Sequence, residues 1–573
     1  MRSSVTLFLI FVFVSVFSQE KKKETSFLPP LKIKPVVSGS FGEVRPNHFH
    51  SGLDLATNGK TGYRVYSSDD GFVARIKVSP VGYGKAVYIQ HPNGYTTVYG
   101  HLQRYSKRID SLVRHRQYEN KSYSIELFFK KDEIPIKKGE VIAYTGNTGS
   151  SGGPHLHYEV RKTASQKPMD PLLFRHDVED DVNPKILGLK IYPLDSGSRV
   201  EGKDKSKYLQ VVYYDKQYHP KGQKIIKASG EIGLGIQVLD YLSGSWRKCG
   251  VRSIELLVDS DRVFKSDLST FSFAETRYVN SLMDYAEKRH SGKVIQKSFV
   301  EPNNRLSIYK ELKNKGVIDL KPGEEHNVKY IVKDAAGNES VMAFKLKGVE
   351  YPAGQPASDD EDRMQMISWD KPFTFESSGA AIKINSRSLY RDEPFYFEVE
   401  HDSTPFLSPV YIIGRDDIPV QKYFTVSINV PDTVTIHRNK LLIAGVTTRG
   451  KAYYIGGEYG DGKETARTRN FGKFTLYYDT IPPVVRLYKA PSSLNYRSRK
   501  TIGVKIYDNM SGIKDYNCYI DGRWVLFEYD SKFYRLTGYK EYFPKFNPGK
   551  HELKIVVTDD RGNKTEKKYN IIL

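Results

Sequence analysis

Short apolar runs separated by turn-forming residues recur along most of this chain, and they limit the fold more than any other feature. Between Leu31 and about Phe174, runs such as "GFVARIKV", "KAVYIQH" and "GEVIAYTG" alternate with Gly and Asn turns. Such alternation between turns is typical of half-buried strands. The insert "RIDSLVRHRQYENKSYSIELFF" is the one place in this segment where we predict a short helix. The 41 tyrosines also favour strands. We predict a mainly β protein built from antiparallel sheets.

The 573 residues are too many for one core, so several domains are expected. "GIQVLDYLSGSWRKCGVRSIELLVD" resembles "GVKIYDNMSGIKDYNCYIDG", and "VKYIVKDAAGNES" resembles "LKIVVTDDRGNKT". This repeat of short strands predicts immunoglobulin-like β-sandwiches, two or three in number. The predicted divisions are a signal peptide at 1–18, a linker at 19–30, a first β domain at 31–178, a sandwich with an insert at 179–347, a linker at 348–366, a β-sandwich of unknown role at 367–478 and a final sandwich at 479–573.

Aspartates occupy matching turns in the two copies of the repeat. Asp-x-x-Ser-Gly begins at Asp240 and Asp508, Asp-x-x-Gly-Asn begins at Asp334 and Asp559, and each copy opens with Asp-x-x-Pro, at Asp181 and Asp479. Aspartates in turns most often accept hydrogen bonds from their own backbone, and we favour that role here. Calcium binding at these turns is the alternative.

The N-terminus predicts export. One Arg precedes an apolar run from Val5 to Phe17, which is too short to span a bilayer, and Val16 and Ser18 suit cleavage before Gln19. An uncleaved anchor is the alternative; no later run is apolar and long enough for a transmembrane helix. The expected location is the periplasm or cell envelope, or the medium after secretion.

The net charge indicates which kind of partner to expect, and the cysteine content indicates whether disulfides hold the fold together. The net charge of +21 suits work against an anionic surface such as a cell envelope. Nucleic acid is not an expected partner, because no Lys/Arg-rich recognition element stands out in an exported chain. The only cysteines, Cys249 and Cys518, exclude a disulfide framework, and we expect two packed, inert thiols.

Histidines are spaced for a metal site in the first β domain. In "HLHYEV", strand alternation places His155, His157 and Glu159 on one face. In "HFHSGLDLA", His50 and Asp54 are four residues apart and also share a face. Two imidazoles and a carboxylate suit a tetrahedral zinc ion with water as its fourth ligand.

Three further residues bear on that site. His101 ends a strand in "VYGHLQ", and a second pair of imidazoles beside a metal can move protons or stabilise an oxyanion. His48 and Glu159 are rival ligands. We expect His48 to be a bystander and Glu159 to form a salt bridge on the sheet.

The order of these motifs is more specific than any one of them. "HSGLDLA", "GYGKAVYIQHPNGYTTVYGHL", "KKGEVIAYTGNTGSSGGPHLHYEV" and "DPLLF" follow one another between about residues 36 and 174. This segment resembles the lysostaphin- and LytM-type zinc metallopeptidases, which cut peptide bonds in peptidoglycan. The long insert after His101 departs from the family pattern and leaves the cleavage specificity open.

The resemblance implies a site and an activity. His50, Asp54 and His157 would be the ligands of one Zn²⁺, and His101 and His155 would be catalytic, one as general base and one as oxyanion donor. The glycines of "TGNTGSSGG" would let the backbone turn tightly and leave the groove open. The implied function is an exported zinc metalloendopeptidase that hydrolyses cross-links or stem peptides of peptidoglycan through zinc-bound hydroxide.

Two alternatives remain from the sequence. One is a non-catalytic, cell-wall-binding or amidase-activating relative of the family, and the other is a zinc peptidase that acts on other extracytoplasmic proteins. The expected partners are peptidoglycan and, through the β-sandwich tail, other envelope proteins.

Overall fold

The structure, a computed structural model, describes residues 26–175, 177–351, 365–401 and 405–573. The predicted signal peptide at 1–18 and most of both predicted linkers lie outside these ranges. The described chain is mainly β with antiparallel sheets, which confirms the predicted class. Within the same ranges, no helix has both the length and the apolar composition that a membrane crossing requires.

The first domain contains a nine-stranded antiparallel sheet. Its seven-strand path runs Val37–Gly39, Leu53–Ala56, His155–Lys162, Tyr95–Gly100, Lys85–Gln90, Gly71–Val78 and Ile125–Phe128, with Pro168–Met169 and Pro135–Ile136 on two of these strands. Three further strands, Arg64–Tyr66, Val141–Thr145 and Leu102–Tyr105, form a smaller sheet, and Val44–Arg45 pairs with His48–Phe49. The largest apolar cluster of the domain includes Leu156, Tyr158 and Val160, the inward-facing residues of the strand His155–Lys162.

The insert contains the predicted helix, Lys107–Glu119. Ile109, Val113 and Gln117, spaced four residues apart, form its buried face. A short 3₁₀ turn at Pro171–Phe174 ends the domain.

The second unit has twelve strands in two layers that are joined into one hydrogen-bonded network. Its path is Arg199–Val200, Ile225–Leu239, Lys185–Pro193, Lys207–Tyr214, Gln217–Pro220, Glu339–Gly348, Glu325–Lys333, Ser253–Val258, Asp261–Asp267 and Tyr309–Leu312, with Gln296–Lys297 and Ile318–Leu320 on Ile225–Leu239. The layers join because the long strand Ile225–Leu239 pairs with Lys185–Pro193 along one half and, in parallel, with Glu339–Gly348 along the other. Short helices Thr276–Tyr278, Val279–Leu282, Tyr285–Ser291 and Asn314–Gly316 lie in its insert.

The third unit has two five-stranded sheets around one core. They are Phe373–Ser377, Ala380–Ile384, Pro419–Asn429, Lys463–Asn470 and Glu458–Gly460, and Phe397–Glu400, Val410–Ile413, Gly472–Tyr478, Leu441–Val446 and Ala452–Gly456. Met366–Ile367 pairs with Glu393–Pro394, and a 3₁₀ turn covers Arg438–Lys440.

The last unit has two four-stranded sheets around its own core. They are Val484–Tyr488, Thr501–Tyr507, Arg535–Tyr539 and Glu528–Asp530, and Arg523–Trp524, Ile513–Ile520, Lys550–Asp559 and Lys564–Ile572. 3₁₀ turns lie at Ser531–Phe533 and Lys540–Tyr542. Cys518 is buried here and Cys249 in the second unit; neither thiol is in a disulfide, and burial raises the pKa of both.

Candidate active site

Strand pairing brings the three predicted metal ligands together. In the nine-stranded sheet, His157 lies directly opposite Asp54 on one neighbouring strand and opposite Gly100 on the other. His50 precedes the strand of Asp54 by three residues. A one-residue slip of this register would turn His157 into the core, so the alternation of the strand fixes the site.

The ligand atoms form a small triangle. His50 Nε2 lies 3.1 Å from His157 Nδ1 and 3.1 Å from Asp54 Oδ1, and His157 Nδ1 lies 2.9 Å from Asp54 Oδ1. A tetrahedral zinc ion with bonds of roughly 2.0–2.1 Å separates its ligands by about 3.3 Å. The three residues are buried and offer the chemistry and the spacing of a metal site.

The outer nitrogens of both predicted histidine ligands form hydrogen bonds within the protein. His50 Nδ1–H donates to the carbonyl of Ser40 at 2.7 Å, and His157 Nε2–H donates to Glu159 Oε1 at 2.8 Å. Each bond fixes the tautomer that leaves the inner nitrogen with a lone pair for a metal.

Glu159 supports the site from behind rather than acting as a ligand. Its buried carboxylate accepts hydrogen bonds from Ser51 Oγ and Tyr83 Oη, both at 2.5 Å, and from Arg161 Nε at 2.6 Å. Burial opposes ionisation, but Arg161 and His157 hold the pKa of Glu159 well below its usual range. The Tyr83 ring also stacks on His157, with centroids 5.0 Å apart. The predicted salt bridge is present, and the carboxylate in addition orients a ligand.

Arg45 orients Asp54, and the sequence analysis missed it. Arg45 Nη2 donates to Asp54 Oδ2 at 2.8 Å, which leaves Oδ1 toward the two histidines. A Cβ on Gly39 would lie 2.6 Å from Arg45 Nη2 and 2.7 Å from Asp54 Oδ2. Only glycine at that position leaves room for this pair.

His101 and His155 lie beside the triangle, with ring centroids 4.7 Å apart. His101 Nδ1–H donates to the carbonyl of Thr148 at 2.8 Å, and His155 Nδ1–H donates to that of Gly153 at 2.8 Å. In both rings Nε2 is therefore the nitrogen left for chemistry. His155 Nε2 is buried 3.3 Å from Asp54 Oδ1 and has no hydrogen-bond partner in the described part of the chain. Burial, with His157 and His155 nearby, lowers the pKa of His101 to about 3.

His48 lies outside this group. Its side chain is exposed, and Nδ1–H donates to the carbonyl of Pro46 at 2.8 Å. It is placed as the bystander that the sequence analysis expected.

Only some glycines of the Gly-rich loop are required by the backbone. Gly149 has φ +70°, and a Cβ there would lie 2.3 Å from both the Gly82 carbonyl and the Gly84 nitrogen. A Cβ on Gly146 would lie 2.3 Å from the Gln103 nitrogen. Gly152 and Gly153 face open space. The loop is therefore tight at its first half and open at its second.

Gly149→Ala is expected to destabilise the protein by at least about 2 kcal/mol, because it adds a left-handed alanine to a backbone contact. Urea unfolding measures the change. Gly152→Ala is the matched control and should unfold at the wild-type midpoint, since no atom of the described residues lies within 4 Å of its added methyl group. Equal midpoints for all three proteins would contradict this description of the loop.

The last unit contacts the same loop. Lys532 Nζ donates to the carbonyl of Asn147, and Ser531 Oγ donates to the carbonyl of Pro80 at 2.8 Å. Lys85 and Glu528 form an ion pair of 2.7 Å, and Tyr118 Oη on the insert helix donates to the carbonyl of Tyr542. The insert thus contacts the C-terminal unit, a role the sequence did not predict for it.

Two family models match the chain. The model described as Peptidase family M23 matches residues 48–119 and 113–171, which include all five predicted site residues. The first domain is an M23 peptidase domain. The Zu5-like domain model matches residues 364–479.

Curated relatives match over the peptidase domain. DD-carboxypeptidase/endopeptidase Mpg of Neisseria meningitidis serogroup B is 35% identical over 123 residues, 22% of this chain and 22% of that protein. An uncharacterized metalloprotease of Haemophilus influenzae is 34% identical over 141 residues, 25% of this chain and 23% of that protein. Peptidoglycan DD-endopeptidase ShyB of Vibrio cholerae is 32% identical over 148 residues, 26% of each chain. The chain thus spans about a quarter of the length of these relatives.

Among solved structures, the catalytic domain of lysostaphin from Staphylococcus simulans aligns at 22% identity over 24% of this chain and 91% of that one, with a TM-score of 0.19.

Proposed function

We propose that the protein is a zinc-dependent endopeptidase that cleaves peptide cross-links in peptidoglycan. The observation that carries the proposal is the triangle of His50, Asp54 and His157 ligand atoms, 2.9–3.1 Å on each side, inside an M23 peptidase domain. A complete ligand set with two adjacent histidines favours a catalyst over a non-catalytic wall-binding protein.

Zinc fits the residues present. The donor set is two imidazole nitrogens and one carboxylate oxygen, each with an outer partner that fixes its orientation. When bound, zinc would polarise the scissile carbonyl and lower the pKa of water to about 7. The relative from Haemophilus influenzae, named a metalloprotease, supports a metal at this site.

The side chains of His101 and His155 would carry out the proton transfers of the reaction. His101 and His155 are each held through Nδ1–H by a backbone carbonyl, so each ring presents Nε2 in a fixed direction. A neutral Nε2 accepts a proton as general base, and a protonated Nε2 donates a hydrogen bond to a developing oxyanion. The two rings face each other in nearly perpendicular planes, at 66°, so one peptide bond can contact both.

Peptidoglycan is the substrate class that the comparisons favour. Mpg and ShyB carry DD-endopeptidase in their names, which supports a cross-link between stem peptides as the bond cleaved. The net charge of +21 suits a polyanionic envelope, and the N-terminal apolar run supports export to it.

A substrate panel tests the class of bond. Purified cross-linked muropeptide dimers, uncross-linked stem peptides and an unfolded protein would each be incubated with the zinc-loaded chain. Conversion of dimers to monomers, with the other two substrates unchanged, is the expected outcome. Cleavage of the unfolded protein but not of the dimers would favour a peptidase of extracytoplasmic proteins instead.

The role of the C-terminal units is part of the proposal. The contact of Lys532 with Asn147 places the last unit against the Gly-rich loop, so we expect it to limit how substrate reaches the groove. The predicted domain boundaries and an envelope partner for the tail stay predictions.

A further inference from the structure

Two groups of three aspartates lie outside the peptidase site. In the second unit, Asp180, Asp240 and Asp334 each place a carboxylate oxygen within 4.8 Å of the others'. In the last unit, Asp479, Asp508 and Asp559 do the same. The two groups, which we call the first and second aspartate clusters, occupy matching places in the sequence repeat.

Their hydrogen bonds show that the clusters are equivalent. Asp180 Oδ1 accepts from the backbone N–H of Ser243, and Asp479 Oδ2 accepts from that of Ser511. The Asn338 side chain donates to the Asp180 carbonyl. In the same way, the Asn563 side chain donates to the Asp479 carbonyl. Asp180 is therefore the counterpart of Asp479, which corrects the sequence alignment that paired Asp181 with it.

Turn formation explains only part of each cluster. Both oxygens of Asp334 accept local hydrogen bonds, from Gly337 N and from the backbone and side chain of Asn338. Asp240 is different: it is 3% exposed, and its Oδ1 has no hydrogen-bond partner within the described ranges. Asp508 is only partly buried, but its Oδ2, at the matching position of the second cluster, is inaccessible to solvent and also has no hydrogen-bond partner among the described residues. Each of the two clusters thus contains one buried carboxylate oxygen that has no hydrogen-bond partner among the described residues.

No basic side chain of the described residues forms an ion pair with these carboxylates; Arg252, which lines the same cavity as Asp180 and Asp240, is paired with Asp267 instead. Across the described residues, none of the six carboxylates has a Lys, Arg or His nitrogen within 4.0 Å, although Asp334, Asp479 and Asp559 are also almost fully buried. Buried carboxylates without a counter-charge are costly unless a proton or a metal ion neutralises them. Burial, with Asp334 and Asp180 adjacent, raises the pKa of Asp240 to about 7.

We propose that each aspartate cluster binds one calcium ion. The donors are all oxygen, as hard divalent cations require, and their spread of up to 4.8 Å fits bonds of roughly 2.3–2.6 Å to a shared ion. Calcium is favoured over magnesium because it accepts irregular sets of protein oxygens, whereas magnesium demands a near-ideal octahedron and keeps its water.

The first cluster also borders the peptidase domain. Asp180 and Asp240 line a small cavity together with Ser40 and Asp170 of that domain. Asp240 pairs through its backbone with Cys249, and the next residue, Gly250, donates its N–H to Ser40 Oγ. Ser40 is the residue whose carbonyl holds His50. The proposed ion would therefore stabilise the junction beside the zinc ligands, without depending on zinc itself.

Calcium stoichiometry tests the proposal in the full chain. The protein would be stripped of metal, reloaded at the peptidase site with zinc, and titrated with calcium chloride in a calorimeter up to roughly 10 mM, because extracellular calcium modules bind at about 10⁻⁴–10⁻³ M. We expect two equivalents for wild type, one for Asp240→Asn, one for Asp508→Asn and none for the double variant. Magnesium chloride in a parallel titration should bind more weakly or not at all.

A control variant and melting temperatures separate loss of calcium binding from loss of folding. Asp181→Asn alters the neighbouring aspartate that is not in a cluster and should keep both equivalents. Asparagine preserves the shape of aspartate and removes a repelling charge, so the metal-free variants should melt at or above the wild-type temperature. Calcium should then raise the melting temperature of wild type but not of the double variant. Absence of calcium binding by folded wild type, or two equivalents retained by the double variant, would overturn the proposal.

Discussion

Asp54→Ala is expected to lose zinc and peptidase activity together, whereas His101→Ala keeps zinc and loses only activity. Asp54 supplies one corner of the triangle and contacts both predicted histidine ligands through Oδ1, so its removal leaves two imidazoles and the Arg45 guanidinium, whose remaining carboxylate partner is Glu43. His101 forms no hydrogen bond with the three triangle residues in the described chain; its Nδ1–H donates to the Thr148 carbonyl. Removal of a positioned acid–base group costs roughly 10²–10⁴-fold in rate.

Metal analysis and hydrolysis of muropeptide dimers, on the same preparations, separate the two effects. His48→Ala is the matched control, because His48 forms a His-x-His pair with His50 but is exposed and outside the triangle. It should keep both zinc and activity. A zinc-free His101→Ala protein, or an Asp54→Ala protein with a full equivalent of tightly bound zinc, would contradict the assigned roles.

Glu159→Gln is expected to weaken zinc binding by roughly 10–100-fold and to destabilise the fold by about 3–5 kcal/mol. The carboxylate is fully buried, bonds His157 Nε2 and is paired with Arg161. Glutamine has nearly the same shape as glutamate. It leaves the positive charge of Arg161 without a counter-charge, and it presents a neutral amide to His157. Urea unfolding of the metal-free protein and competition with a zinc chelator measure the two effects separately.

Glu126→Gln provides the control for this variant. Glu126 pairs with Arg75 on the surface of the same sheet, with 38% of its side chain exposed. Breaking an exposed pair should cost less than about 1 kcal/mol and leave zinc affinity unchanged. A Glu159→Gln protein as stable and as zinc-avid as Glu126→Gln would mean that the buried network does not support the site.

The strand content and the position of the site could be predicted from the sequence because they depend on local patterns. Alternation in "HLHYEV" placed His157 and Glu159 on one face, and the structure puts Leu156 and Tyr158 into the core behind them. A short helix was also predicted in the insert, where the structure has Lys107–Glu119.

The supporting residues could not be predicted, because their contacts depend on how distant segments meet. Arg45 reaches Asp54 only through the pairing of Val44–Arg45 with His48–Phe49. Tyr83 meets Glu159 across 76 positions of sequence; its place in the "GYG" motif was the one available hint. The parallel pairing of Ile225–Leu239 with Glu339–Gly348 in the second unit was not predicted for a similar reason, since it leaves no local pattern.

Digestion of purified peptidoglycan sacculi by the zinc-loaded chain, with products identified by mass spectrometry, is the decisive measurement. A zinc-dependent cross-link endopeptidase should release monomeric stem peptides with new termini. These products should disappear with a zinc chelator, return on adding zinc, and be absent for the Asp54→Ala protein. Sacculi left intact by folded, zinc-loaded protein, or the same new termini in the presence of chelator, would contradict the proposed function.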